Sequence, residues 1–138
     1  MTAYVDASVL LRIVGGERGA LRQWVTITRP LSSTLVRLEC LRTIDRARVR
    51  ARLADDQVAA RRAATLEQLD AFELVDLDSA ILERAAEPFP TPIGSLDAVH
   101  LATALLLRRE LSDLVVATHD RELGLAARAM DFRVVGVP

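Results

Sequence analysis

The chain has 138 residues, a length that predicts one domain over 1–138. Its formal net charge is −1 and all 18 basic residues are arginine. The absence of lysine excludes P-loop nucleotide hydrolases and enzymes that form a lysine Schiff base. Cys40 is the only cysteine, which excludes an internal disulfide and a cysteine-based zinc site.

Membrane insertion and secretion are not expected from the sequence. The longest apolar run, 98–107, is interrupted by His100 and is too short to cross a bilayer. The N-terminal segment MTAYVDASVLL lacks the charged and long apolar regions of a signal peptide. We therefore predict a cytoplasmic protein. The apolar content of 51% indicates a protein interface, with a homodimer or a partner chain.

Short apolar strands alternate with amphipathic helices along the chain. In chain order the pattern predicts strand 2–5, helix 8–14, helix 17–27, strand 29–31, helix 35–49, helix 55–71, strand 72–77, helix 79–87, helix 95–109, strand 114–118, helix 120–130 and strand 132–135. Three prolines keep the segment 88–94 extended as a loop. This alternation is typical of an α/β fold with a parallel sheet.

Three aspartates occupy comparable positions in this pattern. Asp6 follows the first strand, Asp120 follows the fourth, and Asp97 lies in the first turn of helix 95–109. The carboxyl ends of parallel strands gather at one edge of a sheet, and ligands bind there. Asp6 and Asp120 are therefore expected at that edge, and Asp97 joins them if its helix starts there. Each aspartate alone is equally well explained as a helix cap.

Glu39 cannot be explained as a cap, because it lies in the middle of a predicted helix. Its surroundings in the segment LVRLECLR are apolar, and a buried carboxylate is costly unless it has a partner. One explanation is an ion pair with an arginine. The other is a cluster of four acids, in which a divalent cation would relieve the repulsion between the carboxylates.

Oxygen ligands alone suit Mg²⁺ or Mn²⁺. Such a site can activate a water and stabilise the leaving oxygen in phosphodiester cleavage, and it requires no histidine or lysine base. His119 is expected to point elsewhere. Other carboxylate enzymes do not fit. Haloacid-dehalogenase-type phosphotransferases need a second aspartate where this chain has Ser8, and response-regulator receivers need paired acids and a lysine. The segment GGERG does not match a dinucleotide-binding loop.

Four segments together carry a resemblance to a known family: YVDASVLLR, LVRLECLR, SLDAVHLATAL and VVATHDREL. In this order and spacing they resemble the PIN-domain ribonucleases, and more narrowly the VapC-type toxins of type II toxin–antitoxin pairs. The resemblance covers the whole chain. It implies a three-layer α/β/α domain with a central parallel sheet of about four to five short strands.

The resemblance also implies which residues act. The implied catalytic acids, which would hold Mg²⁺ or Mn²⁺, are Asp6, Glu39, Asp97 and Asp120, and the hydroxyls implied beside them are Ser8 and Thr118. The family cleaves RNA endonucleolytically, often tRNA or rRNA, is inhibited by a cognate antitoxin and commonly forms homodimers. His100 matches the family pattern too, and we interpret it as a hydrogen-bonded core histidine rather than a metal ligand.

Arginines recur every four residues at Arg42, Arg46 and Arg50, which places them in one stripe along a helix. The segment 37–52 contains six arginines and only two acids. The stripe is either a ridge that contacts RNA phosphates or a solvated helix face, and the sequence does not separate these explanations.

Two alternatives to a toxin stay open at this point. One is a PIN-like nuclease of housekeeping RNA processing that has no antitoxin. The other is a non-catalytic α/β binding module whose acids are caps and ion-pair partners. A small open reading frame immediately upstream would favour the toxin, and stabilisation by Mg²⁺ or Mn²⁺ would favour the acid site over the binding module.

Overall fold

Five parallel strands form one sheet, which six α-helices cover on both faces. This computed structural model describes residues 1–138. The strands are β1 (Thr2–Val5), β2 (Arg29–Ser33), β3 (Glu73–Val75), β4 (Val115–Ala117) and β5 (Arg133–Val135). The helices are α1 (Ala7–Val14), α2 (Leu35–Arg50), α3 (Asp55–Leu69), α4 (Ser79–Ala86), α5 (Ser95–Arg108) and α6 (Arg121–Ala129). None of the helices combines the length and the apolar character needed to span a bilayer.

The order of the strands creates a crevice beside β1. The order is β3-β2-β1-β4-β5, so the chain first adds strands on one side of β1 and then returns to the other side. Ligands of such sheets bind where the strand order reverses, outside the carboxyl ends of the strands. Val5 of β1 pairs with Ala117 of β4, so the residues that follow, Asp6 and Thr118, leave the sheet at the same level.

Apolar residues on both faces of the sheet form the core and produce three layers. On one face Tyr4 and Val116 pack in a cluster with residues of α5 and α6. On the other face Ala3 and Val5 pack with residues of α1. A third cluster joins α1, α2 and the end of α3, and α4 packs against α5. The predicted three-layer fold with a parallel sheet of four to five strands is therefore confirmed.

The predicted helix 17–27 is wrong. The structure has turns there and a short 3-10 helix over Arg22–Thr26. The reason lies in the spacing of the apolar residues, because Leu21, Trp24 and Ile27 recur every three residues. A 3-10 helix has three residues per turn, so it places the three side chains on one side. All three belong to the core cluster that contains Val5 of β1 and Val9 of α1.

The second strand is longer than predicted because two serines belong to it. Ser32 and Ser33 are fully buried. The Ser32 hydroxyl donates to the carbonyl of Val5 at 2.7 Å, and Ser33 Oγ accepts from the amide of Leu35 at 3.1 Å. Serine side chains that satisfy backbone groups in this way can be buried at low cost. The predicted strand 72–77 is shorter in the structure, at Glu73–Val75.

Gly136 brings the end of β5 against the end of β4, and we predict that Gly136→Ala destabilises the fold. Its φ is +102°, and an added Cβ would lie 2.3 Å from the carbonyl oxygen of Thr118. We expect the free energy of unfolding to fall by about 1–3 kcal/mol, measured by urea denaturation. Gly94→Ala is the control, because a Cβ at Gly94 meets no heavy atom within 4 Å. Equal stability of the two variants would contradict the prediction.

Candidate active site

Two hydroxyl groups hold one oxygen of the buried Asp6 at the end of β1. Thr118 Oγ1 donates to Asp6 Oδ2 at 2.8 Å, and Ser8 Oγ donates to the same oxygen. Each hydroxyl also accepts a backbone amide at 2.9 Å, Thr118 from Asp120 and Ser8 from His119. A hydroxyl has a single proton, so a hydroxyl that accepts from an amide is left to donate toward the carboxylate. Both hydroxyls implied by the sequence therefore contact Asp6.

Asp120 and Glu39 each use a single oxygen in hydrogen bonds to the protein. Asp120 caps α6, and its Oδ1 accepts from the amides of Glu122 at 2.8 Å and Leu123 at 3.1 Å. Glu39 projects from α2, and its Oε1 accepts from Nε2 of His100. No arginine lies within ion-pair distance of Glu39. The ion pair with an arginine, considered above for Glu39, is therefore not formed.

In Asp6, Asp120 and Glu39 the second carboxylate oxygen has no hydrogen-bond partner in the protein. Ligand atoms of Asp6, Glu39 and His100 lie within 4.8 Å of one another. Asp97 and Asp120 fall outside this compact group. Asp120 follows β4, which pairs with β1, so it leaves the sheet at the same edge as Asp6. Free carboxylate oxygens held on fixed side chains are the ligands that Mg²⁺ and Mn²⁺ take. The donor set therefore fits such a cation.

Asp97 lies in the first turn of α5 and forms no hydrogen bond with its side chain. Its burial, together with the negative charges of Asp120, Asp6 and Glu39, raises the pKa of Asp97 to about 6, and only His100 opposes the shift. The four acids are therefore close enough for the charges of three of them to change the pKa of the fourth. A cation among them would remove the cause of the repulsion, and a shifted carboxyl of this kind is common at functional sites.

His100 is completely buried between Tyr4 and Glu39. Its Nδ1 lies 2.7 Å from the Tyr4 hydroxyl and its Nε2 faces Glu39. Both ring nitrogens are occupied, so His100 is not free to bind a metal although it belongs to the compact group. Burial lowers the pKa of His100, but its hydrogen bond to Glu39 and the charges of Glu39, Asp6 and Asp97 outweigh burial and raise it. The prediction of a hydrogen-bonded core histidine is confirmed.

His119 and Cys40 also behave as the sequence predicted. His119 Nδ1 donates to the carbonyl of Gly136 at 2.8 Å, so its ring points away from the acids. Cys40 is buried, and burial, with the charges of Glu39 and Asp6, raises the pKa of its thiol to about 12. The thiol is protonated at neutral pH and does not act as a nucleophile.

A family model described as "PIN domain" matches residues 3–129. The chain belongs to the PIN-domain family. The match includes all four acids, and the resemblance inferred from four short segments is confirmed. Among its curated relatives, Ribonuclease VapC46 of Mycobacterium tuberculosis is 30% identical over 135 residues, covering 96% of this chain and 95% of the relative. Ribonuclease VapC35 of the same species is 31% identical over 138 residues, covering 96% of this chain and 94% of the relative.

Two solved structures share the fold of this chain at lower identity. A toxin–antitoxin complex from Klebsiella pneumoniae contains a chain with a TM-score of 0.68 and 18% identity, with 99% of this chain and 96% of that chain covered. PAE2754 from Pyrobaculum aerophilum has a TM-score of 0.63 and 21% identity, with 97% and 83% covered. These likenesses show that the whole chain adopts the fold.

Two of the arginines predicted to form a ridge share a helix face with Glu39 in this PIN domain. Arg46 and Arg50 come seven and eleven positions after Glu39, so both lie on its side of α2. Neither forms an ion pair, and both are exposed. Arg42 differs, because its guanidinium lies 3.0 Å from Asp45. The structure therefore leaves Arg46 and Arg50 as the free cations of the stripe.

We predict that Thr118→Val weakens the PIN-domain site while preserving the fold. Valine fills the same volume but removes the hydroxyl that joins the amide of Asp120 to Asp6 Oδ2. We expect the Mn²⁺ concentration for half-maximal RNA cleavage to rise about 10-fold. This is the lower end of the range of effects seen when a residue that orients a metal ligand is replaced. Thr65→Val is the control, because the buried Thr65 hydroxyl contacts only Arg61 O in its own helix. An unchanged Mn²⁺ requirement in Thr118→Val would contradict the role of Thr118.

Proposed function

We propose that this PIN domain is an Mg²⁺- or Mn²⁺-dependent endoribonuclease and the toxin of a toxin–antitoxin pair. One observation carries the proposal. At the point where the strand order reverses, Asp6, Glu39 and Asp120 each hold one oxygen in a hydrogen bond and leave the other free. A capping acid also leaves one oxygen free, so the nearness of the acids carries the proposal: ligand atoms of Asp6 and Glu39 lie within 4.8 Å, and the charge of Asp120 acts on the neighbouring Asp97. Acids that served only as caps or ion-pair partners would not need to be brought together against their repulsion.

The residues we propose as metal ligands and catalytic acids are Asp6, Glu39, Asp97 and Asp120. When bound, a divalent cation supplies the positive charge that activates water and stabilises the phosphate oxygens during phosphodiester cleavage. The protein contributes rigid placement: Ser8 and Thr118 hold Asp6, and backbone amides hold Asp120. Ligands that do not have to reorganise bind a cation more tightly, because their ordering is already complete in the free protein.

The relatives support the further proposal of an antitoxin partner. Those at about 30% identity are ribonucleases named VapC, and a structure with the same fold comes from a toxin–antitoxin complex. We propose a cognate antitoxin that covers the acid site, a homodimer, a single domain over 1–138, and action in the cytoplasm on a cellular RNA such as tRNA or rRNA. A small open reading frame directly upstream of the gene would support the antitoxin, and its absence would favour housekeeping RNA processing.

We propose that RNA reaches the acids along the side of α2 that carries Arg46 and Arg50. The double variant Arg46→Gln/Arg50→Gln is expected to raise KM for RNA without changing kcat. The slope of log KM against log salt should fall by about 0.7 for each phosphate of a single strand that the variant no longer neutralises. Arg133→Gln is the control. Arg133 is exposed and lies at the amino end of β5, whereas the acids follow the carboxyl ends of the strands. Equal slopes for both variants and the wild-type protein would assign Arg46 and Arg50 to a solvated face.

The test of the proposed function is cleavage of total cellular RNA by the purified protein in Mn²⁺, followed by sequencing of the cut ends. We expect cuts at a small set of sites in the wild-type reaction. Cleavage should be absent in EDTA and in the Asp6→Asn variant. Cleavage that persists in both would come from a contaminating nuclease and would refute the assignment. No cleavage, together with no change in melting temperature on addition of Mn²⁺, would favour a non-catalytic binding module.

A further inference from the structure

We propose that His100 and Tyr4 form a positioning pair that holds Glu39 by one oxygen and thereby keeps its other oxygen directed at the metal site. This inference rests on the proposed function, because it concerns the orientation of a proposed metal ligand. His100 is a positioning residue and not a catalytic one, since both of its ring nitrogens contact protein groups.

Glu39 needs such a partner more than Asp6 or Asp120 does. The two aspartates have short side chains and are held by backbone amides or by hydroxyls that backbone amides orient. Glu39 has one more rotatable bond and lies inside α2, where the backbone amides are already used by the helix. The only hydrogen bond of the Glu39 side chain is the one to His100. Without His100, no hydrogen bond would select one side-chain conformation of Glu39.

The hydrogen-bond directions form one consistent chain from the backbone to Glu39. The amide of Ser33 donates to the Tyr4 hydroxyl at 3.1 Å. The Tyr4 hydroxyl donates to Nδ1 of His100 at 2.7 Å. The remaining ring nitrogen, Nε2, then carries the proton and donates to Glu39, which as a carboxylate can only accept. Protonation of the ring would leave this Nε2–H group in place, so Glu39 is held in either state of His100.

Burial makes the chain of hydrogen bonds rigid. Tyr4 is 1% exposed and His100 is not exposed at all, and their rings meet edge to face at a centroid distance of 5.8 Å. A role in packing alone would be met by an apolar residue such as leucine, which carries no buried polar atoms that need partners. The imidazole is the group that can accept from a tyrosine on one side and donate to a carboxylate on the other.

The hydrogen bond between His100 and Glu39 can be tested without metal or activity. The chain contains two histidines, so ¹⁵N-histidine labelling with His119→Asn as the assignment variant identifies the signals of His100. In the metal-free wild-type protein we expect a slowly exchanging, downfield Nε2–H proton signal. The signal should disappear or move upfield in Glu39→Ala. An identical signal in that variant would overturn the hydrogen bond on which the inference depends.

The positioning role is tested by Mn²⁺ binding and by the separation of kcat from KM. His100→Leu is expected to weaken Mn²⁺ binding about 10- to 100-fold and to lower kcat, with KM for RNA unchanged in saturating Mn²⁺. His100→Gln should restore Mn²⁺ affinity to within about threefold of wild type, because its amide can accept from Tyr4 and donate to Glu39. Tyr4→Phe leaves the histidine in place and should weaken Mn²⁺ binding about 10-fold, the lower end of the range for groups that orient metal ligands.

The outcomes separate this inference from the proposed function. Wild-type protein that neither binds Mn²⁺ nor cleaves RNA would refute the proposed function. Wild-type affinity and kcat in folded His100→Leu would overturn the positioning role alone. If His100→Leu does not fold, Tyr4→Phe and His100→Gln decide: a weakened Tyr4→Phe with a restored His100→Gln supports the role. Wild-type Mn²⁺ affinity in Tyr4→Phe, or a His100→Gln variant that folds but binds Mn²⁺ more than about threefold more weakly than wild type, overturns it.

Discussion

Asp6→Asn is expected to lower RNA cleavage about 100- to 1,000-fold, the scale seen when one group that stabilises developing charge is removed. The substitution is well suited to this test because only one oxygen of Asp6 is used by the protein. Asparagine keeps an oxygen that accepts from Ser8 and Thr118, and it replaces the free oxygen with an amide. Asparagine and aspartate also rank alike as N-cap residues, so the side-chain cap of α1 should be retained.

The measurements are initial rates of RNA cleavage in Mn²⁺ and melting temperature in EDTA. The control is Asp78→Asn, because Asp78 caps α4 in the same manner, accepting from the amide of Ile81 at 2.9 Å. Asp78 lies away from the acids. It precedes Ala80, which lines the same cavity as Arg109 at the C-terminal end of α5, whereas Asp97 lies at the N-terminal end of that helix. Cleavage reduced equally in both aspartate variants would show that capping, not metal binding, explains Asp6.

The second large effect concerns Asp97, for which activity and stability are expected to change in opposite directions. Asp97→Asn should lower RNA cleavage about 100-fold or more, because it removes a proposed ligand of the cation. In EDTA at a pH of about 7.5 the same variant should melt a few degrees above the wild-type protein. The reason is that asparagine carries no charge, whereas burial and then repulsion from Asp120, Asp6 and Glu39 disfavour the ionised carboxylate and raise the pKa of Asp97.

The stabilisation expected for Asp97→Asn depends on pH, because it comes from the ionised form of Asp97. The pKa of Asp97 is about 6 in the folded protein and 3.8 is its ordinary value, so the folded state binds the proton more tightly than the unfolded state. The folded wild-type protein is therefore favoured by this group at low pH and loses that advantage as the pH rises from about 4 to above 6. The difference in melting temperature between Asp97→Asn and wild type should grow over the same interval and shrink on addition of Mn²⁺.

Asp56→Asn is the control for Asp97→Asn. Asp56 also lies in the first turn of a helix, but it is exposed and belongs to α3, away from the acids. The substitution should leave cleavage unchanged and destabilise the protein slightly, because a negative charge near a helix N-terminus is favourable. A metal-free Asp97→Asn variant that melts below wild type at a pH of about 7.5 would contradict the raised pKa of Asp97.

The fold is largely predictable from the sequence because the signals that define it are local. Alternating short apolar strands and amphipathic helices are visible within windows of a few residues, and most elements begin and end close to the predicted positions. The exception is the segment 17–27, where apolar residues at a spacing of three resemble an α-helical pattern and the structure has a 3-10 helix.

The sequence by itself also determined which acids reach the carboxyl edge of the sheet. Asp6 follows β1 directly and Asp120 comes three residues after the end of β4, so the direction of a parallel sheet is sufficient to place them. Glu39 is recognisable as unusual because a carboxylate stands in an apolar helix, but the sequence does not identify its partner. Arginine and a metal are the candidates there, and the observed partner is His100.

Only the tertiary structure decided how the acids are held. Glu39 and His100 are 61 positions apart, Ser8 and His119 are 111 apart, and Asp6 and Thr118 are 112 apart. Hydrogen bonds over such separations depend on strand register and helix packing, which leave no local pattern in the sequence. In Asp6 and Glu39 these long-range contacts engage one carboxylate oxygen and leave the other without a partner in the protein.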